Sequence, residues 1–191
     1  MEPMFSPDER KELLELAREA IKARLEGREL NYQPTNPKFL EPGAAFVTLY
    51  KGGQERKLRG CIGHIEPVEP LWESVVHNAI AAAFYDPRFP PLRKEELPET
   101  TIEISVLSPK KEFKGTDQEF IEYLAQHKPG VVLDWGFTRS VFLPQVWEEL
   151  PDPEQFLAHL SLKAGLHPLA WREAKKYTFT VEEFDDASLR H

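Results

Sequence analysis

Two glycine-centred breaks, each set between short apolar-rich runs, decide which classes of fold are open to this chain. Residues 45–50 (AFVTLY) and 57–64 (KLRGCIGH) flank Gly52-Gly53, and residues 131–135 (VVLDW) and 139–143 (RSVFL) flank Gly136. Extended runs joined through glycine pair as antiparallel hairpins. Hairpins exclude an all-parallel sheet, and helical patterns follow each of them, so the expected class is α+β with mixed or antiparallel sheets.

The remaining elements repeat this order. Ser6-Pro7-Asp8-Glu9 reads as a capping box with proline in the first turn, and Leu13, Leu14, Ala17, Ile21 and Leu25 recur at helical spacing, predicting a helix over about 7–26. Residues 31–44, with Pro34, Pro37 and Pro42, read as a surface loop. Leu71, Trp72, Val75, Val76, Ala79, Ile80 and Ala83 form an apolar stripe on a helix of about 70–85, with Ser74, His77 and Asn78 on its polar face. A helical turn at 94–97 and an alternating strand at 101–106 close the first unit. The second has a helix at 117–126, the second hairpin, a short helix at 144–150, a longer one at 152–165, and a strand at 176–184. Hairpin, two helices, strand therefore occurs twice, over about 45–108 and 130–184, which reads as two lobes with an internal duplication in a single 191-residue domain. The acidic stretch 182–186 reads as a solvated tail.

Composition removes several functions. A net charge of −8 and a pI near 5.3 argue against a nucleic-acid groove. One cysteine permits no intrachain disulfide, multi-cysteine zinc site or protein-held iron–sulfur cluster, and no residue is assigned as a metal ligand. No apolar run approaches the ~20 residues of a membrane helix, and Met1-Glu2-Pro3 lacks a signal-peptide pattern. A cytoplasmic protein is expected. Seventeen prolines and scarce Cys and Met fit a heat-adapted source. No HExxH, GxSxG, P-loop or GxGxxG run is present.

The chemistry concentrates at residues 58–63, LRGCIG. Strict alternation places Leu58, Gly60 and Ile62 on one face, buried, and Arg59, Cys61 and Gly63 on the other. On this reading Cys61 is a thiolate nucleophile or covalent holder favoured by Arg59's charge, and Gly60 and Gly63 let a ligand or backbone approach. The competing reading makes Cys61 a small buried hydrophobe and the glycines packing devices. His64 is a candidate base only if Gly63 breaks the extension, with His77 the other. Glu103 and Ser105 share the outward face of a neighbouring strand and either line a cleft beside Cys61 or face water. Arg88, in Asp86-Pro87-Arg88, either binds an anion or pairs with Asp86 in a turn. Asn78 is a further binding candidate on the helix face.

LRGCIG resembles the signature of the AMMECR-type domain family. The stretches NAIAAAFYDPRF (78–89), IEISVLSP (102–109), LPQV (143–146) and KAGL (163–166) resemble the same family in the same order. The resemblance covers roughly residues 6–185. It implies a two-lobed, duplicated α+β fold, and similarity to component A of the AmmeMemoRadiSam system, whose expected partners are a Memo-like and a radical-SAM protein. It implies no established activity, and the cofactor stays unknown. Two functions stay open: a thiol-dependent enzyme or enzyme component acting on an unidentified small molecule at Cys61, and a non-catalytic module docking one of those partners.

Overall fold

The structure, a computed structural model, describes residues 3–53 and 55–189; the expectation for Met1 and Glu2 lies outside them. The chain forms two compact units, one holding the chain up to Leu107 and from Glu182 onward, the other Ser108–Val181.

The first unit opens with helix α1 (Pro7–Leu25), started by the predicted capping box, in which Ser6 and Glu9 each accept the other's backbone N–H. A single helical turn, α2 (Pro37–Leu40), lies inside the stretch expected to be loop, and drives Phe39 into the core at 0% exposure. Strands β1 (Pro42–Lys51) and β2 (Lys57–Gly63) are the first hairpin. Short β3 (Glu69–Pro70) pairs with the start of β1 and leads into helix α3 (Leu71–Phe84). A 3-10 turn, Lys94–Glu99, precedes strand β4 (Thr100–Leu107). The sheet order is β2-β1-β4-β9, with β9 (Val181–Asp185) entering from the end of the chain. Val47, Leu49, Ile102 and Ile104 point inward from the sheet and join Leu13, Ile21, Val75 and Ala79 of the helices in one core.

The second unit follows the same plan. Strand β5 (Lys111–Phe113) and helix α4 (Asp117–His127) precede the hairpin β6 (Gly130–Asp134) and β7 (Arg139–Phe142). A 3-10 turn, Pro144–Glu148, and helix α5 (Pro153–Lys163) lead to β8 (Lys175–Phe179), in the sheet order β5-β8-β6-β7. In each unit the last strand of the motif returns antiparallel to the first strand of the hairpin, β4 on β1 and β8 on β6. The α+β class with antiparallel sheets and a recurring hairpin–helix–strand motif is what the chain adopts. Phe120, Phe156, Leu157, Trp147 and Trp171 fill the second core, with the Trp147 and Phe156 rings stacked 3.7 Å apart.

Two expectations near the C-terminus are corrected. The strand expected over 176–184 is two strands, β8 in the second sheet and β9 in the first, parted at Thr180. Ser108 and Thr180 bond each other at this parting, Ser108 N to Thr180 O and Thr180 N to Ser108 Oγ. The second unit accordingly ends at Val181 and begins at Ser108 rather than near 130. Nor is 182–186 a solvated tail. Glu182 accepts the amides of Met4 and Phe5, and Asp186, 4% exposed, takes the Ile102 amide and the Arg18 guanidinium. Its carboxylates satisfy backbone donors, a use that charge counting does not reveal.

Candidate functional site

The hairpin carrying LRGCIG is not regular. Tyr50 pairs with Leu58 but Leu49 with Gly60, so Arg59 is an extra residue in a β-bulge. One inserted residue reverses the alternation on its N-terminal side. Leu58, expected inside, is 40% exposed, and Arg59, expected beside Cys61, is 5% exposed. The Arg59 guanidinium grips Glu96 through Nε and Nη2, donates to Pro90 O, and lies over the Phe89 ring. Lys51 reaches the same Glu96 carboxylate at 3.1 Å. Burial by itself raises the Glu96 carboxyl, but the Arg59 side chain, the Arg93 amide and Lys51 outweigh it and bring it down to about 2. Arg59's charge is therefore neutralised by Glu96, away from the thiol.

Downstream of the bulge, register builds one polar row across three strands. Cys61 pairs with Thr48, and Thr48 with Glu103. Cys61 is partly exposed, and its Sγ is hydrogen-bonded to Thr48 Oγ1 at 3.2 Å. With strands about 4.8 Å apart, Glu103 lies about 10 Å from Cys61 on the same face. Tyr50 Oη donates to Glu103 Oε1, and Arg56 stands 3.7 Å from Glu103 Oε2. Burial, then the charge and hydrogen bond of Glu183, push Glu103 up to about 7, against the pull of Tyr50 and Arg56. Burial, then Glu103, push the Tyr50 phenol up to about 12. Ser105 belongs to the next row, with Phe46 and Gly63, and donates to Glu183 at 3.4 Å.

The backbone of Cys61 is held from outside the sheet. β2 is an edge strand, and the Cys61 amide donates to Asp86 Oδ2 rather than to β1. Arg88 Nη2 donates to Cys61 O at 3.4 Å and to Asp86 Oδ2 at 2.7 Å, while Arg88 N and Nε donate to Asp86 Oδ1. Asp86 is 4% exposed. The Arg88 guanidinium, then the amides of Cys61 and Arg88, hold its carboxyl well below the usual carboxylate range against the opposing effect of burial.

The other sequence candidates fall elsewhere. Gly60 faces α3, where an added Cβ would stand 2.1 Å from Ala82 O; at Gly63 it would meet the Phe46 ring. Both glycines thus admit parts of this chain where a ligand was one expectation. His64 is exposed, its amide on Ala45 O, and its Nδ1 accepts from Asn78 Nδ2. Asn78, expected on a polar face, is fully buried and also donates to Ala45 O and Ser74 O. Ser74 is buried too, because α3 packs on both the sheet and α1. His77 is exposed and donates through Nδ1 to Glu69. The structure therefore groups Cys61 with Glu103, Ser105 and Arg88, and separates them from Arg59, His77 and the His64–Asn78 pair. Sequence reasoning missed Thr48, Tyr50 and Glu183, which only strand register brings in; it read Asp86 as a turn residue paired with Arg88, as the structure has it, but not as the acceptor of the Cys61 amide. Among the described residues no group of three or more His, Cys, Asp and Glu is placed to hold a metal ion.

Antiparallel α+β units presenting a lone thiol from a bulged edge strand define the class of this protein. A sequence profile of the AMMECR1 family matches residues 14–184, and the chain belongs to that family. A protein of Thermococcus gammatolerans is 40% identical over 181 residues, 91% of this chain and 88% of that one. A protein of Thermofilum pendens is 39% identical over 193 residues, 94% and 91% of the two chains. The crystal structure of the uncharacterized protein PH0010 from Pyrococcus horikoshii is similar at a TM-score of 0.72 and 38% identity, covering 91% of this chain and 89% of that one.

Proposed function

We propose that this protein is a thiol-dependent enzyme or enzyme component in which Cys61 is the nucleophile or covalent holder for a small molecule. The observation that carries the reading is the polar row Cys61–Thr48–Glu103 on one sheet face. Thr48 Oγ1 can donate to a thiolate, and a carboxyl that gains and loses its proton near neutrality can serve as general acid or base. A substrate bonded to the sulfur would lie across Thr48 and extend along the row toward Glu103, about 10 Å away. Arg59 is paired with Glu96, Arg88 holds the Cys61 carbonyl as an ion pair with Asp86, and His64 and His77 are each engaged elsewhere.

A second reading is favoured by Leu58, which the bulge turns outward at 40% exposure in the signature itself. On it, the stretch is a platform for a Memo-like or radical-SAM partner, within a cytoplasmic assembly. One experiment separates the two. Wild type and Cys61→Ser are mixed with both partner proteins and a small-molecule extract, and complex formation and metabolite consumption are followed by mass spectrometry. An enzyme component loses consumption in Cys61→Ser while keeping its partners. Undiminished consumption by Cys61→Ser overturns the thiol reading.

A further inference from the structure

A strand at the border of a sheet turns the N–H and C=O of alternate residues outward, where a strand of another chain can bond them. β2 borders the first sheet and β7 the second, each as the return arm of its hairpin. At Cys61 both outward groups are taken by side chains, the N–H by Asp86 Oδ2 at 3.0 Å and the C=O by Arg88 Nη2 at 3.4 Å. One acceptor and one donor at a single residue are what a neighbouring strand would supply. Arg88 N, Nε and Nη2 also bond Asp86, so the two side chains hold each other in this place.

The segment that carries them creates no new border. Residues 86–91 (DPRFPP) hold three prolines, which have no N–H to offer. They are tied to α3 by Leu92 N on Ala83 O and to β2 by Arg59 Nη2 on Pro90 O. The second unit closes its hairpin edge with unrelated residues. The C=O of Val141 on β7 accepts from Lys163 Nζ at 2.6 Å. Lys163 ends α5, the first α-helix after β7, and Arg88 lies just beyond α3, the first α-helix after β2. Each cation also lies over a ring, Lys163 over Phe142 and Arg88 over Phe89. The closure thus occurs once per sheet, from the same place in the motif. The other border strands carry obstacles of their own: β5 is three residues long, and β9 holds Glu182, Glu183 and Asp185.

We infer that Asp86, Arg88 and Lys163 close the outer edges of β2 and β7 against strand addition. Neither sheet then extends into a second copy of this chain, and a partner of the signature stretch meets the side chains of β2 rather than its backbone. The closure is independent of what the Cys61 sulfur does. General charge repulsion does not explain it. The chain carries a net charge of −8, and removing Lys163 makes it more negative, which increases the repulsion between copies. Association of such a variant therefore comes through the opened edge.

The test compares wild type with Asp86→Ala/Arg88→Met, Lys163→Met and Lys163→Arg, with thermal melts confirming that each is folded. The double variant removes both partners of the clamp together and leaves no lone buried charge. Its Cys61 amide is expected to exchange with deuterium roughly ten- to a hundredfold faster than in wild type. That change exceeds the one at Val47 and Ile104, whose rates follow overall stability. Sedimentation at rising concentration is expected to show self-association beyond that of wild type in the double variant and in Lys163→Met. New amide protection then falls on β2 in the first and on β7 in the second. Lys163→Arg, which keeps a donor for Val141 O, keeps the wild-type behaviour. Lys163 is exposed, so Lys163→Met carries the test should the double variant not fold. Folded variants that associate no more than wild type overturn the inference. So does association that leaves the β2 and β7 amides unprotected.

Discussion

Glu103 keeps a proton that a surface glutamate would have released. Its carboxyl titrates near 7 in the folded protein, against roughly 4.3 in an unfolded chain. Between those values the folded state binds more protons than the unfolded state, so stability falls as pH rises from about 4.3 to about 7 and then levels off. After allowance for solvent screening the fall is about 1–2 kcal/mol. Urea titrations across this window are expected to show it in wild type and to lose it in Glu103→Gln. Arg59 offers the converse test. Removing it leaves the Glu96 carboxylate, 9% exposed, without its two-pronged partner. Arg59→Met should cost about 3 kcal/mol of unfolding free energy, measured by denaturant titration. Arg59 also marks where reading residues one by one fails. Alternation placed it beside the thiol, but a bulge is a mismatch between two strands and leaves no mark on either alone.

At the scale of elements, close approach explains the two glycines of the signature, and the two approaches differ in kind. At Gly60 the obstacle is backbone, the Ala82 carbonyl of α3; at Gly63 it is the ring of Phe46. A helix backbone cannot step aside, and the Phe46 atom nearest the added carbon is Cγ, which stays in place when the ring turns. Gly60→Ala and Gly63→Ala are therefore each expected to destabilise by about 2–3 kcal/mol in thermal melts. A loss near zero at either position would contradict this packing account. Helix starts were the most legible elements, because Ser6-Pro7-Asp8-Glu9 writes its cap locally. Elements that borrow partners from afar were not. β3 and β5 are two and three residues long and make sense only against β1 and β8. The split of the last strand was hidden because Tyr177, Phe179 and Val181 continue one alternation through the parting at Thr180.

For the whole molecule, the motif that recurs in order also recurs in topology, each copy closing its own core. Truncating the second core at the stacked pair, Phe156→Ala, should cost about 3–5 kcal/mol and speed amide exchange at Val131 and Leu133. The family was legible from short stretches spread along the chain, and relatives from thermophiles agree with the proline-rich, sulfur-poor composition. The row Cys61–Thr48–Glu103 was not legible, since it depends on how β1 registers against both neighbours. The account stands on that row presenting a usable sulfur. Its most direct test is the rate of Cys61 modification by iodoacetamide at pH 8, measured by intact mass in native buffer and again in denaturant. The account expects complete modification in native buffer, within about tenfold of the denatured rate. A thiol untouched until the protein is unfolded would contradict it.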